Sequence, residues 1–65
     1  MKLVVNGETK QFASEINLIT LLENLDLEGR VAVEINQEII PKSKYSERIL
    51  KDGDKIEIVH AIGGG

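Results

Sequence analysis

The sequence predicts an α+β domain in which one main helix packs on a mixed sheet of four to five strands. Three observations carry that expectation. Asn6-Gly7 separates two short runs of strand-forming residues, Leu18, Leu21, Leu22 and Leu25 recur at helical spacing, and apolar and polar residues alternate at 31–35 and again from Lys55. A leucine stripe and several one-sided strands are most simply buried by laying the helix across a single sheet.

Taken in order, Leu3, Val4 and Val5 form the first strand. Asn6-Gly7 is a pair that tolerates the positive φ angles of a two-residue hairpin turn, so the chain should return through Thr9 to Phe12. The period then changes from two to the i, i+3, i+4, i+7 spacing of the leucines. Asn17 is placed to cap this helix, because its side-chain oxygen can accept from an amide of the first turn. Ile16 before the cap and Leu21 as the fourth helical residue have the spacing of a hydrophobic staple. The helix is expected to end in "DLEGR", where Gly29 can leave the helical region without a Cβ penalty.

Val31, Val33 and Ile35 then alternate with Ala32 and Glu34 as a half-buried strand, and Asn36-Gln37 turns the chain into a short strand at 38–40 that Pro41 stops. "KSKYSERIL" reads either as loop or as a short turn of helix near Tyr45. "KDGD" is a tight turn with Gly53 at its flexible position, and 55–59 is the last strand, with Ile56 and Ile58 on one face.

With 65 residues and no cysteine, the chain has room for one small domain whose stability must come from an apolar core. At 42% hydrophobic residues such a core is available. The opening "MKLVVNGETK" lacks the apolar run of a secretory signal, which favours a cytoplasmic protein. No stretch approaches the roughly 20 apolar residues of a membrane span. Eight basic against eleven acidic residues leave a net charge of -3, which disfavours nucleic acid as a partner, and Phe12 and Tyr45 are the only aromatic side chains available for stacking on bases.

The interior offers little chemistry. His60 is the single histidine, and Asp52 and Asp54 are two carboxylates in a turn without further spaced ligands, so no metal is expected. Ser14, Ser43 and Ser46 lack the setting of a nucleophile. Lys42, Lys44, Arg48 and Lys51 read either as a patch for an acidic partner or as a solvated surface.

That leaves "HAIGGG". Glycine termini are often no more than frayed ends. Here, however, the last strand runs into the glycines through Val59, His60, Ala61 and Ile62 without the polar spacer of a linker, so the domain is taken as 1–62 and a flexible C-terminal glycine tail as 63–65. A terminal carboxylate at neutral pH is an anion and a poor electrophile. Converted to an acyl adenylate it becomes reactive, and a tail without Cβ atoms can enter a slot only as wide as a backbone. Extended, three residues reach about 10 Å beyond the domain.

"VNGE" near the start, "VAVEINQEIIPKSKYSERILKDGDKIEIVHAIGGG" through the second half, and the glycine end together resemble the ThiS family of thiamine-biosynthesis sulfur carriers. The resemblance covers the whole chain. It implies a ubiquitin-like β-grasp fold with the first and last strands adjacent at the sheet centre. It also implies that Gly65 is the acceptor: its carboxylate is adenylated and converted to a thiocarboxylate that donates sulfur to thiazole synthase. Gly64 and Gly63 would form the slender approach, with Ile62 and Ala61 contacting the partner next to the tail. The implied partners are a ThiF-like adenylating enzyme, a persulfide-bearing sulfur donor and a ThiG-like thiazole synthase. No cofactor would be bound by this chain, since ATP and magnesium belong to the activating enzyme, and the protein would be a cosubstrate and not itself an enzyme. Three alternatives stay open on the sequence: a carrier like the small subunit of molybdopterin synthase, a β-grasp protein-binding module without tail chemistry, and a modifier forming isopeptide bonds.

Overall fold

The computed structural model describes residues 1–27 and 30–60. Strand β1 (Lys2–Val5) turns at Asn6-Gly7 into the antiparallel β2 (Glu8–Gln11), with Val5 opposite Glu8. Asn6 at φ 49° and Gly7 at φ 84° have the two positive φ angles that this turn demands. Because two residues close the turn, the return strand begins at Glu8, one residue before the sequence expectation. It ends at Gln11, but Phe12 prolongs the pairing: its N–H donates to the Met1 carbonyl at 2.9 Å, and the Met1 ammonium donates back to its carbonyl at 3.0 Å.

Helix α1 (Leu18–Asn24) starts where the cap was expected. The Asn17 Oδ1 accepts from the Thr20 amide at 2.8 Å, and Asn17 Nδ2 donates to the Ser46 carbonyl at 3.2 Å, which ties the helix start to the segment beneath it. Main-chain bonds from Leu18 to Arg48 and from Leu50 to Ile16, both 2.9 Å, reinforce that tie.

The helix ends earlier than expected. Asp26 adopts the left-handed region at φ 56°, its N–H donates to the Glu23 carbonyl, and the Leu27 N–H donates to the Leu22 carbonyl at 3.2 Å. This is the bond pattern of a Schellman stop, with an aspartate where glycine is usual. Asp reaches this conformation more readily than most residues with a Cβ. Gly29, the expected stop, lies outside the described residues.

Strand β3 (Val31–Ile35) turns at Asn36 (φ 52°) and Gln37 (φ 71°) into β4 (Glu38–Ile40), again with two positive φ angles. "KSKYSERIL" resolves into a short 3₁₀ turn over Lys42–Lys44, which carries Tyr45 into the core. Gly53 at φ 90° turns the chain into β5 (Lys55–His60), one residue longer than expected.

The sheet order is β2-β1-β5-β3-β4, with β5 parallel to β1 and antiparallel to β3. The first and last strands are thus neighbours at the sheet centre, as the resemblance implies. One face of the sheet presents Leu3, Val5, Val33, Ile35, Ile40, Ile56 and Ile58 to Leu18 and Leu21 of the helix, and Leu50 and Tyr45 close the core. The expected parity of both alternating strands therefore holds.

Two substitutions probe these elements. Leu21 is fully buried, so Leu21→Ala should cost about 2–5 kcal/mol in chemical denaturation, enough to threaten folding of so small a domain. Gln37, exposed and left-handed, should gain up to about 1 kcal/mol as Gln37→Gly, because the turn then needs no Cβ at positive φ.

Candidate functional site

Strand β5 is the last described element, and its final residue, His60, stands three positions before Gly63 in the sequence. On the β3 side it is paired to its end: Ile58 faces Val33, Val59 faces Ala32, and His60 faces Val31. On the β1 side the strand pairing stops at Val5 opposite Ile56. Val59 and His60 are both exposed, and the described chain ends there. The expected site residues Gly65, Gly64, Gly63, Ile62 and Ala61 lie outside the described residues. His60 ends the strand, on the helix face of the sheet opposite Val31.

Sequence parity alone did not say which apolar residues the outer face would expose. Registry supplies the answer. Glu34 faces Ile39 across the β3/β4 pair, and Ala32 and Glu34 face Val59 and Glu57 across β3/β5. Side chains directly opposite one another share a face, so Ile39, Glu34, Ala32, Glu57 and Val59 lie together on the side away from the helix. Ile39 is 73% exposed and Val59 61%, the two most exposed large apolar side chains among the described residues. Val59 is also the residue just before His60, so this apolar surface reaches the end of the described chain.

Two surface grooves of about 470 Å³ each flank the 3₁₀ turn. One is bounded by Ile39, Ile40, Pro41, Lys44 and Arg48, the other by Leu22, Leu27, Arg30, Lys42 and Tyr45. Neither lining contains a serine, cysteine or histidine, so neither holds a nucleophile with a base. The basic run is partly committed to local pairs. Lys44 Nζ lies 3.5 Å from Glu47, and the Arg48 guanidinium 3.5 Å from Asp54.

The turn carboxylates are also committed, to holding the chain. Asp52 Oδ1 accepts from the Lys2 amide at 2.7 Å. Asp54, buried, accepts from the Lys51 amide at 2.9 Å and from Asn36 Nδ2 at 3.0 Å. Among the described residues no three histidine, cysteine, aspartate or glutamate side chains gather as metal ligands, and no helix is long and apolar enough to cross a membrane.

A family model for the ThiS family matches residues 3–65. The chain belongs to the ThiS family. It is 43% identical over 65 residues to the sulfur carrier protein ThiS of Bacillus subtilis, covering 97% of this chain and 98% of that protein. It is also 52% identical over 66 residues to part of a thiazole synthase of Paramagnetospirillum magneticum. That match takes in all of this chain and spans only 20% of that longer relative. The crystal structure of the thiamine biosynthesis protein ThiS from Geobacter metallireducens superposes over the full length of both chains, with a TM-score of 0.87 at 32% identity. Among the described residues, five strands in mixed pairing over one α-helix make this a ubiquitin-like β-grasp, as family membership requires.

Because Ile39 and Val59 add little to the core, Ile39→Thr and Val59→Thr should keep stability within about 0.5 kcal/mol of the wild type in denaturant titrations. A larger loss at either position would mean that the outer face is required for folding and is not simply an available surface.

Proposed function

We propose that this protein is a sulfur carrier in thiamine biosynthesis, working through a thiocarboxylate on Gly65. The observation that carries the reading is the extent of the family match, which runs from Leu3 through the last glycine and so includes the tail as well as the folded body. The described residues support it in a second way. The central strand ends at His60, three residues before Gly63 in the sequence, and the outer sheet face offers the exposed Ile39 and Val59 to a partner.

In this reading the chemistry has three steps. The Gly65 carboxylate attacks the α-phosphorus of ATP on an adenylating partner, and pyrophosphate leaves. The outer sulfur of a persulfide then displaces AMP from the acyl carbon, forming an acyl disulfide. A thiol cleaves the S–S bond, which leaves the thiocarboxylate on Gly65 and a disulfide on the donor side. ATP, magnesium and the persulfide belong to partners, so the chain is a cosubstrate that acts in the cytoplasm. Gly63 and Gly64 give the approach its narrow cross-section, because no Cβ widens it.

Ordering glycines in a partner costs on the order of 1–2 kcal/mol per residue, so affinity must come mainly from the folded surface. Val59 and Ile39 on the outer face are the exposed apolar groups proposed for that task, with Ala61 and Ile62, next to the glycines in the sequence, proposed to contact the partner as well. Thiazole synthase is the proposed sulfur acceptor. Support comes from the relative in which a segment like this chain forms part of a protein named thiazole synthase.

Deleting Gly64 and Gly65 should leave the thermal melt unchanged and abolish sulfur transfer to a thiazole synthase. A truncated chain that still supports transfer would contradict the reading and favour a binding module. Gly65→Ala should likewise impair activation far more than stability.

A further inference from the structure

The parallel ladder between β1 and β5 ends in an unusual way. Its main-chain bonds run from the Val4 amide to the Asp54 carbonyl at 3.0 Å and from the Asn6 amide to the Ile56 carbonyl at 2.9 Å. At Asn6 the main chain swings into the left-handed region, φ 49°, and leaves for the hairpin turn. The next position of the ladder, at Ile58, is nevertheless filled. The Ile58 amide donates to Asn6 Oδ1 at 2.7 Å, and Asn6 Nδ2 donates to the Ile58 carbonyl at 3.1 Å. One side-chain amide thus supplies both the acceptor and the donor that a continuing strand would have offered.

We propose that Asn6 is a positioning residue for the reactive end of the chain: its side-chain amide stands in for missing strand and holds the β1 side of β5 at Ile58, so that the end of the strand before the glycines is fixed from both sides. The inference rests on the sulfur-carrier reading of the tail. Ile58 is seven residues before Gly65, and beyond it the β5 pairing of the described chain is to β3 alone. Without the Asn6 amide the strand beyond Ile56 would be held through its β3 pairing alone. A strand end bonded on one side opens more readily than one bonded on both, so the placement of His60 and of whatever follows it would be less exact. A reacting carbon misplaced by about 1 Å can lose on the order of 10²-fold in rate, so holding the base of the tail bears on turnover more than on docking.

Asn6→Gly is the informative variant, because glycine keeps the left-handed turn and removes only the amide. Asn6→Asp retains an acceptor for the Ile58 N–H and loses the donor to its carbonyl, which makes it a partial replacement. Amide hydrogen exchange on the free protein should show faster exchange at Ile58 in Asn6→Gly, with Val33 and Leu21 unchanged. Pyrophosphate release would be followed with ATP and the adenylating partner while carrier concentration is varied. In Asn6→Gly kcat should fall about tenfold with KM within about twofold, as expected for a displaced end, and Asn6→Asp should lie between Asn6→Gly and the wild type. Asn17→Ala, which weakens the helix cap by removing side-chain bonds to Thr20 and Ser46, should leave kcat unchanged and so controls for lost stability.

An Asn6→Gly chain that is folded and turns over at the wild-type kcat would overturn the positioning role. So would an equal fall in kcat for Asn17→Ala. A wild-type chain that releases no pyrophosphate with a competent partner would instead overturn the sulfur-carrier reading, and the inference with it.

Discussion

The structure depends on the placement of β5 between β1 and β3. This last strand is the middle of five, parallel to the first and antiparallel to the third, so neither hairpin can join the other except through it. Its inward residues, Ile56 and Ile58, are also where the two hairpins' apolar faces meet, opposite Val5, Ile35 and Val33. The strand nearest the chain end is thereby among the best held, a demanding arrangement for a domain of 65 residues with no disulfide. It suits the proposed sulfur carrier, in which the working group would be Gly65, a few residues farther on in the sequence.

Two asparagines make the placement specific. Each opens a two-residue hairpin turn in the left-handed region, and each turns its side-chain amide onto β5. Asn36 receives the Lys55 N–H at 2.9 Å at the strand's start, while its own N–H donates to the Lys55 carbonyl at 2.8 Å. Asn6 does the corresponding work at Ile58. A hairpin turn and a long-range clamp are thus built from one residue on each side of the central strand. Asn36 is in turn held by the buried Asp54, which also accepts from the Lys51 amide and lies 3.5 Å from Arg48. Burying a carboxylate is costly unless its oxygens are satisfied, and these partners satisfy them.

Much of this was legible in the sequence, because the signals were local. The Asn-Gly turn, the leucine stripe, the cap at Asn17 and the parity of Val31, Val33 and Ile35 depend on neighbours a few positions away. The helix stop was not legible, since Asp26 takes the role usually given to glycine and the Schellman bonds from Asp26 and Leu27 decide it. Nor were the clamps: the Asn6–Ile58 contact spans 52 positions, and nothing in "VNGE" distinguishes a turn residue from one that also holds another strand. The exposure of Ile39 and Val59 on a common face needed the register of three strands. The proposed reactive end was the reverse case. Its glycines were plain in the sequence and gained meaning from the family match, whereas the described fold contributes the strand that leads to them.

The most direct test of the whole is fragmentation mass spectrometry of the intact chain after incubation with ATP, its adenylating partner, a persulfide donor and a thiol. Replacement of one oxygen by sulfur, confined to the fragment that ends in Gly65, is the result expected of a carrier whose body is scaffold and whose terminus is the site. Sulfur located on any other residue, or a lysine-linked adduct in place of the thiocarboxylate, would contradict it.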